Sequence, residues 1–106
     1  MRNEGMARSS LVMIANAQTT YRDGEGNGNY ATLDQLFAAG MVPKDFVQNN
    51  GYRVELTING EKFEAIAVPL EYGKSGKLSY FIDQSKILHG ADRGGAPATS
   101  ADPEIR

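Results

Sequence analysis

The stretch from Asn3 to Tyr21 constrains the fold more than any other, because its apolar residues keep the helical period throughout. Ala7, Leu11, Ile14, Gln18 and Tyr21 succeed one another at spacings of four, three, four and three, which sets them on one stripe. Met6, Met13 and Ala17 widen the apolar side beyond a single seam, while Arg8, Ser9, Asn16 and Thr20 fall mostly away from it. The pattern predicts one amphipathic helix, stopped at about Arg22 by the glycine-rich run Asp23-Gly-Glu-Gly-Asn-Gly-Asn29. No other segment is long enough to serve as a spine. Its first two turns, with Met6 and Met13, are expected to project beyond the sheet and offer an assembly contact.

Beyond that spine the chain reads as a short helix and then strands. Thr32 with Gln35 three residues on has the capping-box spacing; Leu33, Leu36 and Phe37 supply a buried side, and Gly40 a stop. Pro43 is expected to bar further helix nearby. Between Tyr52 and Val68 apolar and polar residues alternate on either side of Asn59-Gly60, the dipeptide of a two-residue type I′ hairpin turn. That turn sets Leu56 against Phe63, Val54 against Ala65 and Tyr52 against Ala67, all on one face. It also opposes Glu55 to Glu64, with Lys62 and Arg53 diagonal to the two carboxylates. Pro69 ends the second strand. A third is expected over Leu78–Ile82 and a short fourth over Ile87–His89, after a turn at Asp83–Lys86. From Gly90 the composition shifts to glycine, alanine, proline and serine, so residues 1–89 read as one globular domain and 90–106 as a flexible tail, disordered or laid loosely on the surface. The fold class is α+β: a long N-terminal helix packed on an antiparallel sheet of three to four strands, with a short second helix.

Composition narrows the function classes. The chain has 106 residues, 41% of them hydrophobic and 23% charged, which suits one soluble domain with a modest core. A net charge of -2 gives no electrostatic case for nucleic acid or an anionic membrane surface. With no cysteine there is neither a disulfide framework nor a thiolate metal site. No run approaches the roughly 20 apolar residues that cross a bilayer, and no secretory signal is visible.

The order of local patterns resembles the soluble domains of type IV pilin-like proteins, including the pseudopilins of type II secretion. The residues that carry the resemblance are Ala7-x-x-Ser10-Leu11-x-x-Ile14-x-x-Ala17-Gln18-x-x-Tyr21, then Tyr30-Ala-x-Leu33-x-x-Leu36 and Gly51-Tyr52-x-Val54. Ala67-x-Pro69-x-x-Tyr72-Gly-x-x-Gly76 and Tyr80-Phe-Ile-Asp83-x-Ser85 complete it over about residues 3–89. Members carry a cleavage site and an apolar anchor ahead of the helix. Neither precedes Arg2 here, so the resemblance implies a trimmed piece in which Met1 is an added start. The family commonly has a small residue or glycine after the Asp-x-Ser turn, where this chain has Lys86. The resemblance implies a non-enzymatic structural subunit of a pilus-like or pseudopilus filament, partnered by other pilin-like subunits through the N-terminal helix. It also implies a periplasmic or cell-surface place, with the full-length protein anchored in the inner membrane. The calcium site of major pseudopilins lies in a loop of the sheet region, and its acidic ligands have no match here.

Chemistry-bearing patterns are few. Counting from Asp23, oxygen ligands fall at positions one, three and five as Asp23, Glu25 and Asn27, with Gly28 at six and Asp34 at twelve. This approximates an EF-hand calcium loop and makes a calcium-binding or protein-interaction module the alternative function. Against it, position three is a long Glu, position twelve is Asp rather than a bidentate Glu, and Tyr30 stands where an aliphatic residue is usual. Alternating glycine and polar residues also make a plain connector. Gly73-Lys74-Ser75-Gly76 lacks the leading glycine of a phosphate loop, with Val68 at that position, and precedes a strand, so it reads as a turn. His89 is the single histidine, which rules out a two-histidine metal site, and a triad of His89, Asp92 and Ser85 would rest on residues with nothing to hold them. The one Arg93-Gly-Gly95 in an acidic chain does not suggest RNA binding. No nucleophile–base pair or paired buried carboxylate is discernible, which argues against an enzyme.

Overall fold

The structure, a computed structural model, describes residues 2–48 and 51–105, so Met1, Asn49, Asn50 and Arg106 lie outside it. Helix α1 (Arg2–Asp23) runs unbroken, followed by the short helices α2 (Leu33–Ala38) and α3 (Lys44–Gln48). Four strands come next: β1 (Tyr52–Asn59), β2 (Lys62–Pro69), β3 (Leu78–Asp83) and β4 (His89–Asp92). They form one antiparallel sheet in the order β1-β2-β3-β4, with α1 laid chiefly over β2 and β3. The α+β class read from the sequence is the observed one.

The predicted stripe on α1 is its docking face. Ala7, Leu11 and Ile14 are fully buried against Phe63, Ala65 and Ala67 of β2 and Tyr80 and Ile82 of β3. Burying Leu11 and Ile14 contributes roughly 1.5–3 kcal/mol each. Gln18 occupies a core position on the stripe because its amide pairs fully with a backbone. Nε2 donates to the Ala31 carbonyl at 2.7 Å, and the Ala31 N–H donates to Oε1 at 2.8 Å. This bidentate pair fastens the chain between α1 and α2 to the helix without leaving a buried polar atom unpaired.

Both ends of α2 follow from sequence. The Thr32 hydroxyl accepts from the Gln35 N–H at 3.2 Å, and the Gln35 side chain accepts from the Thr32 N–H at 2.8 Å. At the other end Gly40 has φ 70°, the Met41 N–H reaches the Leu36 carbonyl and the Gly40 N–H that of Phe37, a Schellman closure.

Five expectations need correction. Pro43 does not bar helix: α3 begins directly after it, and the Val47 N–H donates to the Pro43 carbonyl at 3.1 Å. A proline at a helix start lacks only an N–H that would have no intrahelical partner. The hairpin register differs by two residues. Gly60 and Glu61 form the turn, so Leu56 pairs with Ala65, Val54 with Ala67 and Tyr52 with Pro69. Gly60 alone has positive φ (62°), at the first central position, as in a type II′ turn. The inward face is unchanged, but Ile58 now opposes Phe63, and Glu55 faces Ile66 rather than Glu64. The first turns of α1 do not project beyond the sheet, since Ala7 is fully buried and Glu4 accepts from the N–H groups of Lys77 and Leu78 at 3.0 and 2.9 Å. The fourth strand is His89–Asp92, not Ile87–His89.

Lastly, the chain beyond Gly90 is built into the molecule. Gly90 to Asp92 belong to β4, and the next residues cross the sheet face opposite α1, where Ser79 Oγ donates to the Ala96 carbonyl at 2.7 Å and Ala98 is 2% exposed. The chain then returns to β4, where the Gly90 N–H donates to the Pro103 carbonyl and the Ile105 N–H to that of Leu88. This is why β3 is buried on both faces.

Candidate functional site

The surface of α1 turned away from the sheet is the strongest candidate. Arg8, Ser9, Asn16 and Thr20 are exposed there, as the polar side of the stripe requires, and Val12 among them is 41% exposed. Met13 is half-buried and stands between two shallow grooves. One runs toward Leu88 and Ile105, past Gly5 and Arg8; the other runs toward Met41, past Asn16 and Thr20. The result is an apolar ridge with a recess on each flank, suited to packing against another surface. Sequence reasoning found Met13 but missed Val12, Leu88 and Ile105. The available signal was a lone apolar residue four positions from both Arg8 and Asn16.

The start of α1 is held by a polar cluster. Glu4 receives the two N–H groups at the head of β3, and the Tyr52 hydroxyl donates to the Leu78 carbonyl at 2.6 Å. Burial opposes the charge on Glu4, yet the N–H donors of Leu78 and Lys77 hold its carboxyl below the usual range. Burial pushes the Tyr80 phenol up to about 12, aided by the Glu4 charge, and raises Tyr52 as well. These shifts move every member away from neutral pH, so the cluster clamps α1 to the sheet and is unsuited to acid–base chemistry. Gly76 serves the clamp: a Cβ there would collide with the Tyr52 hydroxyl.

The structure places the calcium-loop residues apart in role. Asp23 ends α1 and pairs with Arg22 Nε at 3.2 Å, Asp34 sits in the first turn of α2, and Glu25 and Asn27 are exposed on the turns between them. Those turns serve the helix end: the Gly26 N–H donates to the Tyr21 carbonyl at 2.7 Å and the Gly28 N–H to that of Arg22 at 2.8 Å. Gly26 also lies against the Tyr21 ring, where a Cβ would come within 2.7 Å. Among the described residues no three Asp, Glu or His side chains gather as a metal site would need.

The remaining motifs are structural. Gly73–Gly76 is a turn, in which the Lys74 and Ser75 N–H groups donate to the Glu71 carbonyl. Ser85 Oγ donates to Asp83, His89 Nδ1 bonds the Asp102 carbonyl at 2.8 Å, and Asp92 accepts from the Tyr72 hydroxyl at 2.7 Å. Ser85, His89 and Asp92 thus each have another partner. Among the described residues no helix is long and apolar enough to cross a membrane. No protein-family model, curated protein or solved structure matches the chain.

Proposed function

We propose that this chain is the globular part of a non-enzymatic structural subunit of a type IV pilus-like or type II secretion pseudopilus filament. In the full-length protein a membrane segment ahead of α1 anchors it in the inner membrane, and the globular part lies in the periplasm or at the cell surface. The observation that carries this reading is α1 itself. It is one continuous helix whose inner face is spent on the sheet while its outer face, with Val12 and Met13, stays open along its length. A helix in that state is available to stack against copies of itself. The resemblance in the order of helix, capped loop and antiparallel meander supports the same reading.

The reading frame upstream of Arg2 tests it. A short basic leader and then an apolar run of about 20 residues are expected; a frame that opens at Met1 removes the proposal. A thermal melt in calcium against chelator separates it from the calcium-module alternative. A site filled at 100 times its dissociation constant adds about 2.7 kcal/mol, whereas an unchanged melting temperature is expected, because the loop carboxylates are not gathered.

A further inference from the structure

Among the described residues β1 ends the sheet with no strand beyond it, whereas the chain itself covers the outer edge of β4. The direction of the β1 backbone groups is set by its neighbours. The Leu70 N–H donates to the Gly51 carbonyl at 3.0 Å, and the Phe63 N–H points away from β1, to Gln84 Oε1 at 3.3 Å. With Asn59 and Lys62 closing the turn, odd-numbered residues of β1 direct their N–H and C=O to β2. Those of Val54, Leu56 and Ile58 point outward.

The side chains of this edge are divided by chemistry. Val54, Leu56 and Ile58 face the helix layer but stay half-buried, because α1 lies over β2 and β3, while Phe63 and Ala65 beside them are fully covered. Next to that row is a groove lined by Leu33, Val47, Val54 and Leu70. On the opposite face Arg53 and Glu55 are half-exposed and lie 3.2 Å apart. The edge thus presents backbone donors and acceptors, an uncovered apolar row, and one charge of each sign two residues apart.

We propose that the occupant of this edge is a second copy of the chain, pairing β1 with β1 antiparallel about a two-fold axis through Val54, so that the two sheets become one. Among registers centred on Arg53, Val54, Glu55 or Leu56, charge selects one. Antiparallel pairing about a two-fold axis places one residue on the axis, opposite its own counterpart. Glu55 there opposes two carboxylates, and Arg53 there opposes two guanidinium groups. Leu56 there sets Glu55 against Thr57. With Val54 on the axis, Arg53 of each copy faces Glu55 of the other, twice by symmetry, on the side where paired side chains come closest. The same register continues the apolar row across the seam and brings the counterpart's Leu56 opposite Tyr52, at the groove. This interface uses a different surface from the outer face of α1, and it stands independently of the filament reading.

Sedimentation of the full chain from micromolar to millimolar concentration reads the association directly. Wild type is expected to dimerise reversibly. Arg53→Glu and Glu55→Arg, each alone, set like charges across the seam and are expected to weaken association at least about tenfold. An equimolar mixture of the two variants restores both opposite-charge pairs and is expected to dimerise about as well as wild type. A wild-type chain that stays monomeric to millimolar concentration overturns the proposal, as does a dimer that survives either single reversal or a mixture that stays monomeric. Should a reversal unfold the chain, amide exchange of the wild type decides instead. The Val54 and Leu56 amides must slow as concentration rises, and concentration-independent exchange there sinks the pairing.

Discussion

At β4 the chain returns along its own sheet edge, with the Gly90 N–H bonded to Pro103 at 2.9 Å, Ile105 bonded to Leu88 at 2.7 Å, and the Ile105 side chain packed against the core. At β1, among the described residues, the corresponding edge has only alternating charge on one face and a half-covered apolar row on the other. Unpaired edges are liabilities that proteins cover, shorten or charge. Here one edge is covered at the cost of ordering residues 93–105 beyond it, and the other is merely charged. The difference tells which edge is available for pairing between copies.

Cutting the chain after Asp102 should have the largest effect, because it turns the covered edge into an open one. It removes two backbone hydrogen bonds, at about 1 kcal/mol each, and the partial burial of Ile105, at about another 1 kcal/mol. A loss of about 3 kcal/mol in urea unfolding is expected, together with new concentration-dependent scattering from an unprotected β4. A loss below about 1 kcal/mol would mean the cover is ornamental and the two edges are alike.

Next comes Gly90→Ala. A Cβ at Gly90 would lie 2.8 Å from the Tyr80 ring and 3.1 Å from Ile105, so the new methyl must push apart β4, the ring or the covering segment. Overpacking of this kind costs about 1–3 kcal/mol. If the cost falls mainly on the Pro103–Ile105 cover, amide exchange at Gly90 and Ile105 should accelerate more than in β2. Uniform acceleration would place the strain in the core instead.

Much of this arrangement was legible because it rests on periodicity and local chemistry. The α1 stripe, Gln18 included, the Thr32–Gln35 box and the inward face of the hairpin all come from patterns spanning a few residues. The hairpin register was not legible. A shift of two residues leaves every side chain on its face, so the alternation cannot choose between registers. Pairing Ile58 with Phe63 and parting Glu55 from Glu64 decided it, and the turn chemistry adapted through Gly60. The cover on β4 was hidden for another reason. Its bonds are made by backbone, and its packing on Ser79 and Phe81 suits small residues such as Ala98, so a segment poor in large apolar residues still buries. The Asp23–Asp34 spacing was legible and pointed to calcium, but spacing fixes only the order of oxygens. The end of α1 and the first turn of α2 carry Asp23 and Asp34 as parts of other structures.

A smaller effect, of opposite sign, is expected in the turn that leads to β4. Lys86 has φ 64°, and its N–H donates to the Asp83 carbonyl at 2.9 Å, so a side chain stands in the left-handed region that glycine occupies without steric cost. Lys86→Gly removes that strain but widens the freedom of the unfolded chain. The net should be a gain of about 0.5–1 kcal/mol in urea unfolding, without change in association. An equal loss would show that the Lys86 side chain makes a contact worth more than the backbone strain.

The smallest effect belongs to the open edge, and it carries the comparison's sharpest test. Arg53 and Glu55 are each about half exposed, with side-chain accessibilities of 51% and 50%, so water screens their 3.2 Å contact within one chain. At sub-micromolar protein, where copies are apart, Arg53→Ala should change stability by no more than about 0.5 kcal/mol. Added salt should shrink even that. The same substitution at high concentration removes both cross-strand charge pairs and should shift the monomer–dimer balance visibly. A change above about 1 kcal/mol in the dilute monomer would instead give Arg53 a structural role within one copy. The charges at β1 would then be part of the fold, as Pro103–Ile105 are at β4, and the contrast between the edges would collapse.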